Sequence, residues 1–286
     1  MSFDQHENHT SGDHRFDRDT SVRPIGVEGD VHTYSCRVAE GWDIMGNANG
    51  GYLLAIVGRA LSHATGRPDC ITVTAHYLAP APVADGRIVV TVVRSGRRFA
   101  TATASLFLTV DGRERETLRA LATLGDLRND PGGPTMLLES IPDIAPIDEC
   151  IGTNTEATLP ALHGRLDCRF DPRDAGFRLG QKSGDARMRG WFGFADGRPV
   201  DSAALLLACD AFPPTVFHLD LPVAWVPTVE LTFHLRAIPA AGPVACSFRT
   251  RYVQNGLLEE DGEMWDSSGT LVGLSRQIAL APRANG

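Results

Sequence analysis

Residues 46–61 read GNANGGYLLAIVGRAL, a glycine-rich loop that leads into a strongly apolar segment. The part after the paired glycines, YLLAIVGRAL, has one charged side chain, so a helix formed from it is apolar on nearly every face. Such a helix has to be covered on all sides by other elements of the fold. The loop therefore predicts a buried central helix around which the rest of the chain is organised.

The loop itself allows two interpretations. Asn49 stands directly before Gly50 and Gly51, which suits the N-cap position of the helix. Backbone N–H groups at a helix start can also bind a developing negative charge, and glycine lets a ligand approach the backbone closely. Asn49, Gly50 and Gly51 are therefore candidate substrate-binding residues, and both interpretations can hold together.

Runs typical of β-strands surround this helix, with the turn signals ADG, SG and DG between them. One short run precedes the loop and four follow the helix: Thr33–Val38, Ile71–Leu78, Arg87–Val93, Thr101–Val110 and Thr117–Leu124. The order is strand, buried helix, then a meander of strands.

The second half of the chain repeats this order. Its strand, short apolar helix and four further strands are predicted at Arg187–Phe194, Ser202–Asp210, Thr228–Leu235, Val244–Tyr252, Leu257–Asp266 and Leu271–Leu280. Leu78 and Leu235 lie 157 residues apart, as do Gly112 and Gly269 of two matching turns. The sequence thus predicts an α+β architecture of two copies, each with a sheet that wraps one helix, joined edge to edge so that exposed strand edges are hidden.

Composition sets the expected boundaries. Residues 1–22 are polar, charged and rich in histidine, which predicts a disordered tail. Residues 126–160 are rich in proline, glycine and aspartate and are predicted to be a linker. The two copies are then residues 23–125 and residues 161–286.

The remaining composition excludes several classes of protein. A net charge of −8 argues against nucleic acid or an anionic membrane as the main partner. The chain shows no signal-peptide pattern and no apolar stretch approaching ~18 residues, and its six cysteines include no C-x-x-C pair, so we expect a cytoplasmic protein with buried, reduced thiols. The sequence also lacks G-x-S-x-G, P-loop, G-x-G-x-x-G and H-E-x-x-H motifs, so we expect no serine nucleophile, metal or redox cofactor.

Three stretches resemble the type II acyl-CoA thioesterases: GGYLLA at 50–55, RSGRRF at 94–99 and DSSGTLVGLSRQ at 266–277. The resemblance covers residues 30–282 and implies a double hotdog fold that hydrolyses acyl-CoA thioesters. In that family an Asp, a Thr and a Gln of the C-terminal repeat hold the attacking water. The matching positions are Asp210 at the end of the second helix, Thr228 at the start of the next strand and Gln277 in the last strand, although a slip of one or two residues would bring Thr232 in place of Thr228.

The repeat register supports a site at these positions. Across the spacing of 157 residues, Gln277 matches Ala120 and Thr228 matches Ile71, so the first copy is apolar where the second is polar. A buried polar group without a hydrogen bond costs about 1–3 kcal/mol, so a polar set in one copy alone favours a functional site. The alternative is three unrelated polar residues satisfied by backbone or solvent.

The residue types suggest their roles. Asp210 is the one ionisable member and would be the general base, while Thr228 and Gln277 would position the water. Direct attack by the Asp210 carboxylate, which would give an anhydride, is a less favoured variant. Arg94, Arg97 and Arg98 cluster at a turn and could bind the phosphates of CoA, or could simply be solvated surface residues.

Two other functions within the same fold stay open. A hotdog enoyl-CoA hydratase carries a neighbouring Asp and His, and residues 46–60 contain neither, which disfavours it. A non-catalytic protein that binds or senses acyl-CoA is compatible with the sequence. Acyl chain length and association between copies of the chain into a homo-oligomer are not determined by these patterns.

Overall fold

A computed structural model of the chain describes residues 14–129, 132–153 and 160–283. The helices in these ranges are α1 (Arg15–Asp19), α2 (Gly50–Thr65) and α3 (Ser202–Ala208). The strands of the first half are β1 (Arg23–Glu28), β2 (Val31–Val38), β3 (Asp43–Ile44), β4 (Asn47–Ala48), β5 (Asp69–Tyr77), β6 (Ala84–Ser95), β7 (Ala100–Val110) and β8 (Arg113–Gly125). Those of the second half are β9 (Ile151–Gly152), β10 (Arg169–Phe170), β11 (Arg187–Phe192), β12 (Thr228–Leu235), β13 (Val244–Arg249), β14 (Val253–Gln254), β15 (Leu257–Trp265) and β16 (Leu271–Leu280).

A single antiparallel sheet contains fourteen of these strands, and β3 and β4 form a separate small pair. In the first copy the strand order is β2-β6-β7-β8-β5, and in the second it is β12-β16-β15-β13-β11. The two orders are mirror-related about the seam where β5 pairs with β12. The predicted architecture of two copies that share one sheet is confirmed.

The sheet curves around α2 and α3, which pack against each other in opposite directions. A Cβ atom on Gly51, at the start of α2, would lie 2.7 Å from the carbonyl oxygen of Leu207, at the end of α3. At the opposite end, the Ser202 hydroxyl at the start of α3 donates to Asp69, which follows α2, at 2.8 Å. Each helix start therefore meets the segment that follows the other helix.

The prediction of a disordered tail over residues 1–22 is wrong for residues 14–22, and residues 1–13 lie outside the described part of the chain. Phe16 of α1 is fully buried, with its ring 5.8 Å from that of Trp42 and 5.0 Å from that of Phe194. One aromatic side chain in a polar segment is enough to anchor it, and average composition does not reveal such an anchor.

Ion pairs reinforce this contact. The Asp17 carboxylate accepts hydrogen bonds from Arg59 of α2 at 2.6 Å and from Arg198 of the second copy at 2.8 Å. Both partners are distant in sequence, so the charges of residues 14–22 suggested a solvated segment. The Asp17 carboxylate is instead paired within the fold. The segment thereby connects the two copies.

The predicted linker over residues 126–160 is also too long. Its later part belongs to the second copy, because β9 pairs with β10 and Thr153 is buried beside it. The backbone N–H of Ala145 donates to the buried carboxylate of Asp171 at 2.9 Å. Isolated backbone contacts of this kind carry no hydrophobic periodicity, which is why the sequence did not predict them.

The thiols are enclosed as expected. Five of the six cysteines are buried and Cys36 is partly buried. Burial raises the pKa of Cys36 and of Cys70 to about 12, so both thiols stay protonated at neutral pH. Within the described ranges, no helix combines the length and apolar character needed to cross a membrane.

Candidate active site

A cavity of about 1130 Å³ lies at the start of α2, between the two copies. Its polar lining comes from both halves of the chain: Asn47, Asn49, Gly50, Tyr77, His163, Arg178, Gln181, Asp210, Thr228, Glu260 and Gln277. Apolar side chains form much of the remaining wall, including Leu53, Phe177, Phe212, Phe217, Trp225 and Leu258. A large apolar cavity with a few convergent polar groups is the usual form of a small-molecule site.

The start of α2 holds the Asp210 carboxylate. Oδ2 of Asp210 accepts a hydrogen bond from Asn49 Nδ2 at 2.8 Å and from the backbone N–H of Gly51 at 3.0 Å. Oδ1 of Asn49 accepts from the backbone N–H of Tyr52 at 2.9 Å, so Asn49 is the N-cap of α2, as the sequence suggested. Asn49 therefore joins the helix start to the carboxylate, where the positive end of the helix dipole favours negative charge.

The same surroundings set the acidity of Asp210. Protein encloses its carboxyl group except where the group borders the cavity, and this burial raises its pKa to about 7. Hydrogen bonds from Gly51, Gly50 and Asn49 lower the pKa, and the negative charge of Glu260 raises it. Both protonation states of Asp210 are therefore accessible near neutral pH, as a general base requires.

A second hydrogen-bonded chain of polar groups lines the cavity. The Thr228 hydroxyl donates to Gln277 Oε1 at 2.8 Å, and Gln277 Nε2 donates to Glu260 Oε1 at 2.8 Å. The other carboxylate oxygen of Glu260 accepts from the backbone N–H of Thr215 at 2.9 Å and from its hydroxyl at 2.7 Å. The buried Glu260 carboxylate thus holds the Thr228–Gln277 pair through its contact with Gln277.

The two candidate threonines have different surroundings. Thr228 lines the cavity, whereas the Thr232 hydroxyl contacts Thr74 at 2.8 Å and donates to Glu230 at 2.5 Å. Thr232 is not among the residues that line the cavity. Asp210, Thr228 and Gln277 therefore meet at one cavity, and Thr232 lies elsewhere.

The structure does not bring the predicted arginines to this cavity. Arg94, Arg97 and Arg98 lie at the β6–β7 turn, where Arg67 donates to the backbone carbonyl of Arg97 at 2.9 Å. Arg67 follows the C-terminal end of α2, a helix of 16 residues, which at ~1.5 Å per residue is about 24 Å long. The arginines are consequently at the far end of the helix from Asn49, because clustering in sequence does not report which end of a buried helix a turn faces.

Sequence analysis missed Glu260, which is only 5% exposed. A signal for it exists in β15, where Leu258, Glu260, Gly262 and Met264 alternate on the buried face. Period-two alternation places Glu260 on the side of its apolar neighbours, so a carboxylate within an inward-facing apolar series was the available indication.

The site contains no arrangement typical of a metal centre. In the described ranges, no group of three or more His, Cys, Asp or Glu side chains could hold a metal ion.

The fold and the cavity define a two-copy hotdog protein with one polar site at the junction of the copies. Family models match both halves: the acyl-CoA thioesterase N-terminal domain over residues 38–125 and the acyl-CoA thioesterase C-terminal domain over residues 140–281. The chain belongs to this acyl-CoA thioesterase family.

Three individual proteins are similar to this chain over nearly its whole length. A solved structure from Thermobifida fusca, provisionally described as a thioesterase II, is 30% identical over 94% of this chain and 98% of its own, with a TM-score of 0.83. An acyl-CoA thioesterase II from Mycobacterium marinum shares the fold at 16% identity, covers 95% of this chain and 99% of its own, and gives a TM-score of 0.63. An uncharacterized protein of Mycobacterium tuberculosis is 26% identical over 92% of this chain and 96% of its own length.

Proposed function

We propose that this protein hydrolyses acyl-CoA thioesters to the free acid and CoA, with Asp210 as the general base. The observation that carries the proposal is the Asp210 carboxylate, which is held at the start of α2 and borders the same cavity as Thr228 and Gln277. Burial raises the pKa of this carboxylate to about 7, which supports its role as a base. Family membership makes acyl-CoA the expected substrate class. The apolar part of the cavity wall suits an acyl chain.

The reaction balances with a single water molecule. Asp210 takes a proton from the water as its oxygen attacks the thioester carbonyl carbon. When the tetrahedral intermediate collapses, the carbon–sulfur bond breaks and the sulfur leaves with the bonding electrons. The sulfur takes the proton that Asp210 removed from the water, which regenerates the base, and the acid is released. Thr228 and Gln277 orient the water, since the Thr228 hydroxyl proton is used on Gln277 and leaves its lone pairs to accept a hydrogen bond.

The start of α2 has a different role in this proposal from the binding of a developing negative charge that its glycines suggested. The backbone N–H of Gly51 donates to Asp210, so it stabilises the ionised base rather than standing ready for an oxyanion. Asn49 and Gly50 line the cavity at this point, so we propose that they contact the substrate near its thioester. Gln277 has a second N–H, which is available to a ligand in the cavity.

The direct test is release of CoA from short-, medium- and long-chain acyl-CoA, with Asp210→Asn beside the wild-type protein. We expect wild-type hydrolysis with a preference for some chain lengths and a loss of about 10²–10⁴-fold in kcat in the variant. Hydrolysis that continues unchanged in Asp210→Asn would contradict the assigned base. Measurable binding of acyl-CoA without release of CoA from any chain would instead support a non-catalytic binding protein.

A further inference from the structure

Glu260 is a buried carboxylate that directly adjoins the proposed water-binding pair. It lies in β15 opposite Gln277 of β16 in the register of the two strands. Three donors meet its two oxygens: Gln277 Nε2 at Oε1, and the N–H and hydroxyl of Thr215 at Oε2. Two of these contacts, from Gln277 and from the Thr215 backbone, are N–H groups that can only donate, so each carboxylate oxygen accepts a hydrogen bond, as suits an ionised carboxylate. The Thr215 hydroxyl has one proton and also lies 2.7 Å from the Thr250 hydroxyl.

This arrangement decides which way the Gln277 amide faces. Thr228 alone cannot fix the amide, because a hydroxyl group can turn and either donate or accept. An amide rotated by half a turn would place its oxygen against the Glu260 carboxylate, acceptor against acceptor. Glu260 therefore selects the orientation in which Gln277 Oε1 receives Thr228 and an N–H remains for the cavity.

The charge of Glu260 also acts across the site. Its negative charge is one of the causes that raise the pKa of Asp210, after burial itself. The other groups that face Asp210 are Asn49 and the start of α2, which lower its pKa, and Tyr77, whose hydroxyl is held by the carbonyl oxygen of Gly50 at 2.9 Å. Burial raises the pKa of Glu260 as well, and the hydrogen bonds from Thr215 and Gln277 oppose this.

We infer that Glu260 is a positioning residue for the proposed hydrolysis: it holds the Gln277 amide with an N–H toward the cavity, and its charge acts on Asp210, which lines the same cavity. Glu260 itself makes its contacts through Gln277 and Thr215, so it does not need to touch the substrate. The inference rests on the proposed function and adds a fourth residue to it.

The test compares Glu260→Gln with Glu259→Gln. Glu259 lies next to Glu260 in the same strand and bonds to the exposed Arg251, so its substitution removes one negative charge from outside the cavity. The charge of Glu259 also raises the pKa of Glu260, so this variant controls for the loss of a nearby charge. In Glu260→Gln one oxygen becomes an NH₂ group that faces a donor, so the Gln277 amide should turn. We expect kcat to fall about 10- to 100-fold with KM changed less than about threefold, and the acidic limb of the kcat/KM profile to move to lower pH by about half a unit or more.

Glu260→Asp separates orientation from charge. It keeps the negative charge but shortens the side chain, so we expect a reduced kcat with the acidic limb near its wild-type pH. Equal losses in both variants with no displacement of the limb would reduce Glu260 to a structural role and overturn the inference. An unaltered kcat and pH profile in Glu260→Gln would also overturn it.

Titration of the Asp210 carboxyl carbon by ¹³C NMR tests this inference independently of the proposed function. It follows the pKa of Asp210 without turnover, and we expect a lower pKa in Glu260→Gln and an unchanged one in Glu259→Gln. If no acyl-CoA is hydrolysed, the proposed function fails while the influence of Glu260 on Asp210 is still measured. If Asp210 titrates identically in all three proteins, the influence of its charge is refuted even if hydrolysis occurs.

Discussion

The two ends of the helix pair are built alike, yet they differ in what surrounds them. At one end the start of α2 holds Asp210 from the segment after α3, and at the other the start of α3 holds Asp69 from the segment after α2. Asp69 is 3% exposed and its second oxygen accepts from the backbone N–H of Leu127 at 2.9 Å. Asp210 borders the cavity and Asp69 does not. A carboxylate from the following segment of the other helix therefore lies at each helix start, and the cavity makes one of the two a candidate for chemistry.

The sheet shows the same contrast in its cross-strand pairs. In the first copy Ala120 of β8 pairs with Ala104 of β7, and both are buried. In the second copy the equivalent pair is Gln277 of β16 and Glu260 of β15. Since the strand orders are mirror-related, these are matched positions on either side of the seam. The matched positions therefore hold two buried alanines in the first copy and a hydrogen-bonded polar pair in the second.

The largest effects should come from replacing each of the two carboxylates in turn. Asp210→Asn should lower kcat about 10²–10⁴-fold with little loss of stability, because an amide oxygen can still accept from Gly51. Asp69→Ala should do the reverse: it would leave the backbone N–H of Leu127 and the Ser202 hydroxyl without their acceptor, at a cost of about 1–3 kcal/mol in the free energy of unfolding. Urea unfolding and CoA release, measured on both variants, test whether one substitution lowers activity and the other lowers stability.

The comparison would break if both variants lost activity and stability in the same proportion. In that case the two helix ends would share one structural role, and the cavity would not distinguish them.

Gly51→Ala should give the next largest effect, on packing. A Cβ at Gly51 would lie 2.7 Å and 2.8 Å from the backbone oxygens of Leu207 and Leu206, so the two helices must separate. We expect a loss of about 1–3 kcal/mol in the free energy of unfolding, together with lower activity because Asp210 is displaced.

Gly58→Ala is the matched control. Its Cβ would meet the end of the flexible Leu206 side chain at 2.6 Å, and the exchange of glycine for alanine inside a helix gains about 0.5–1 kcal/mol. Its stability should lie within about 1 kcal/mol of the wild-type value. An equal loss in both variants would mean that helix spacing is not set at Gly51.

The sequence predicted much of this architecture because strands and buried helices leave periodic patterns. Thr228–Leu235 and Leu271–Leu280 were predicted with their observed bounds, and the matching turns established the repeat. Gln277 was assigned from the resemblance of residues 266–277 to the thioesterase family, and its apolar counterpart Ala120 supported the assignment. A repeat register reveals the positions at which two copies differ. The difference between Gln277 and Ala120 lies on the side of the sheet that borders the cavity.

The missing parts depend on contacts between residues that are distant in sequence. Phe16 docks α1 through aromatic neighbours that no local pattern links to it. Glu260 was hidden within a charged run, LLEEDGEMW, in which only the alternation of the strand separates inward from outward carboxylates. The arginine cluster looked suitable for phosphate, but its place at the far end of α2 follows from three-dimensional packing.

The pH dependence of stability gives a smaller effect that again separates the two ends. The pKa of Asp210 is raised from about 3.9 in the unfolded chain to about 7 in the folded one. Between these values the folded protein binds the proton more tightly, so its stability decreases as pH rises through this window. Because the group borders the cavity, we expect the change to be about 1–3 kcal/mol.

Asp210→Asn removes this dependence, so relative to the wild-type protein the variant should gain stability between pH 5 and pH 8. Urea unfolding of both proteins at these two values measures the difference. A wild-type protein that gains stability relative to the variant over the same interval would show that the folded state lowers the pKa of Asp210.

The smallest effect is expected from the arginines at the far end of α2. Replacement of Arg94, Arg97 and Arg98 by glutamine should change KM for acyl-CoA less than about twofold, because the β6–β7 turn is anchored to Arg67 and not to the cavity. Exposed charges at such a distance are screened, since the Debye length at physiological ionic strength is about 8 Å. Activity measured at low and at high salt provides the control, because a remote electrostatic contribution would appear only at low salt. A tenfold rise in KM that persists at high salt would place the CoA phosphates at this turn. It would also require the substrate to extend along the whole helix, which would make the two ends of α2 parts of one binding surface.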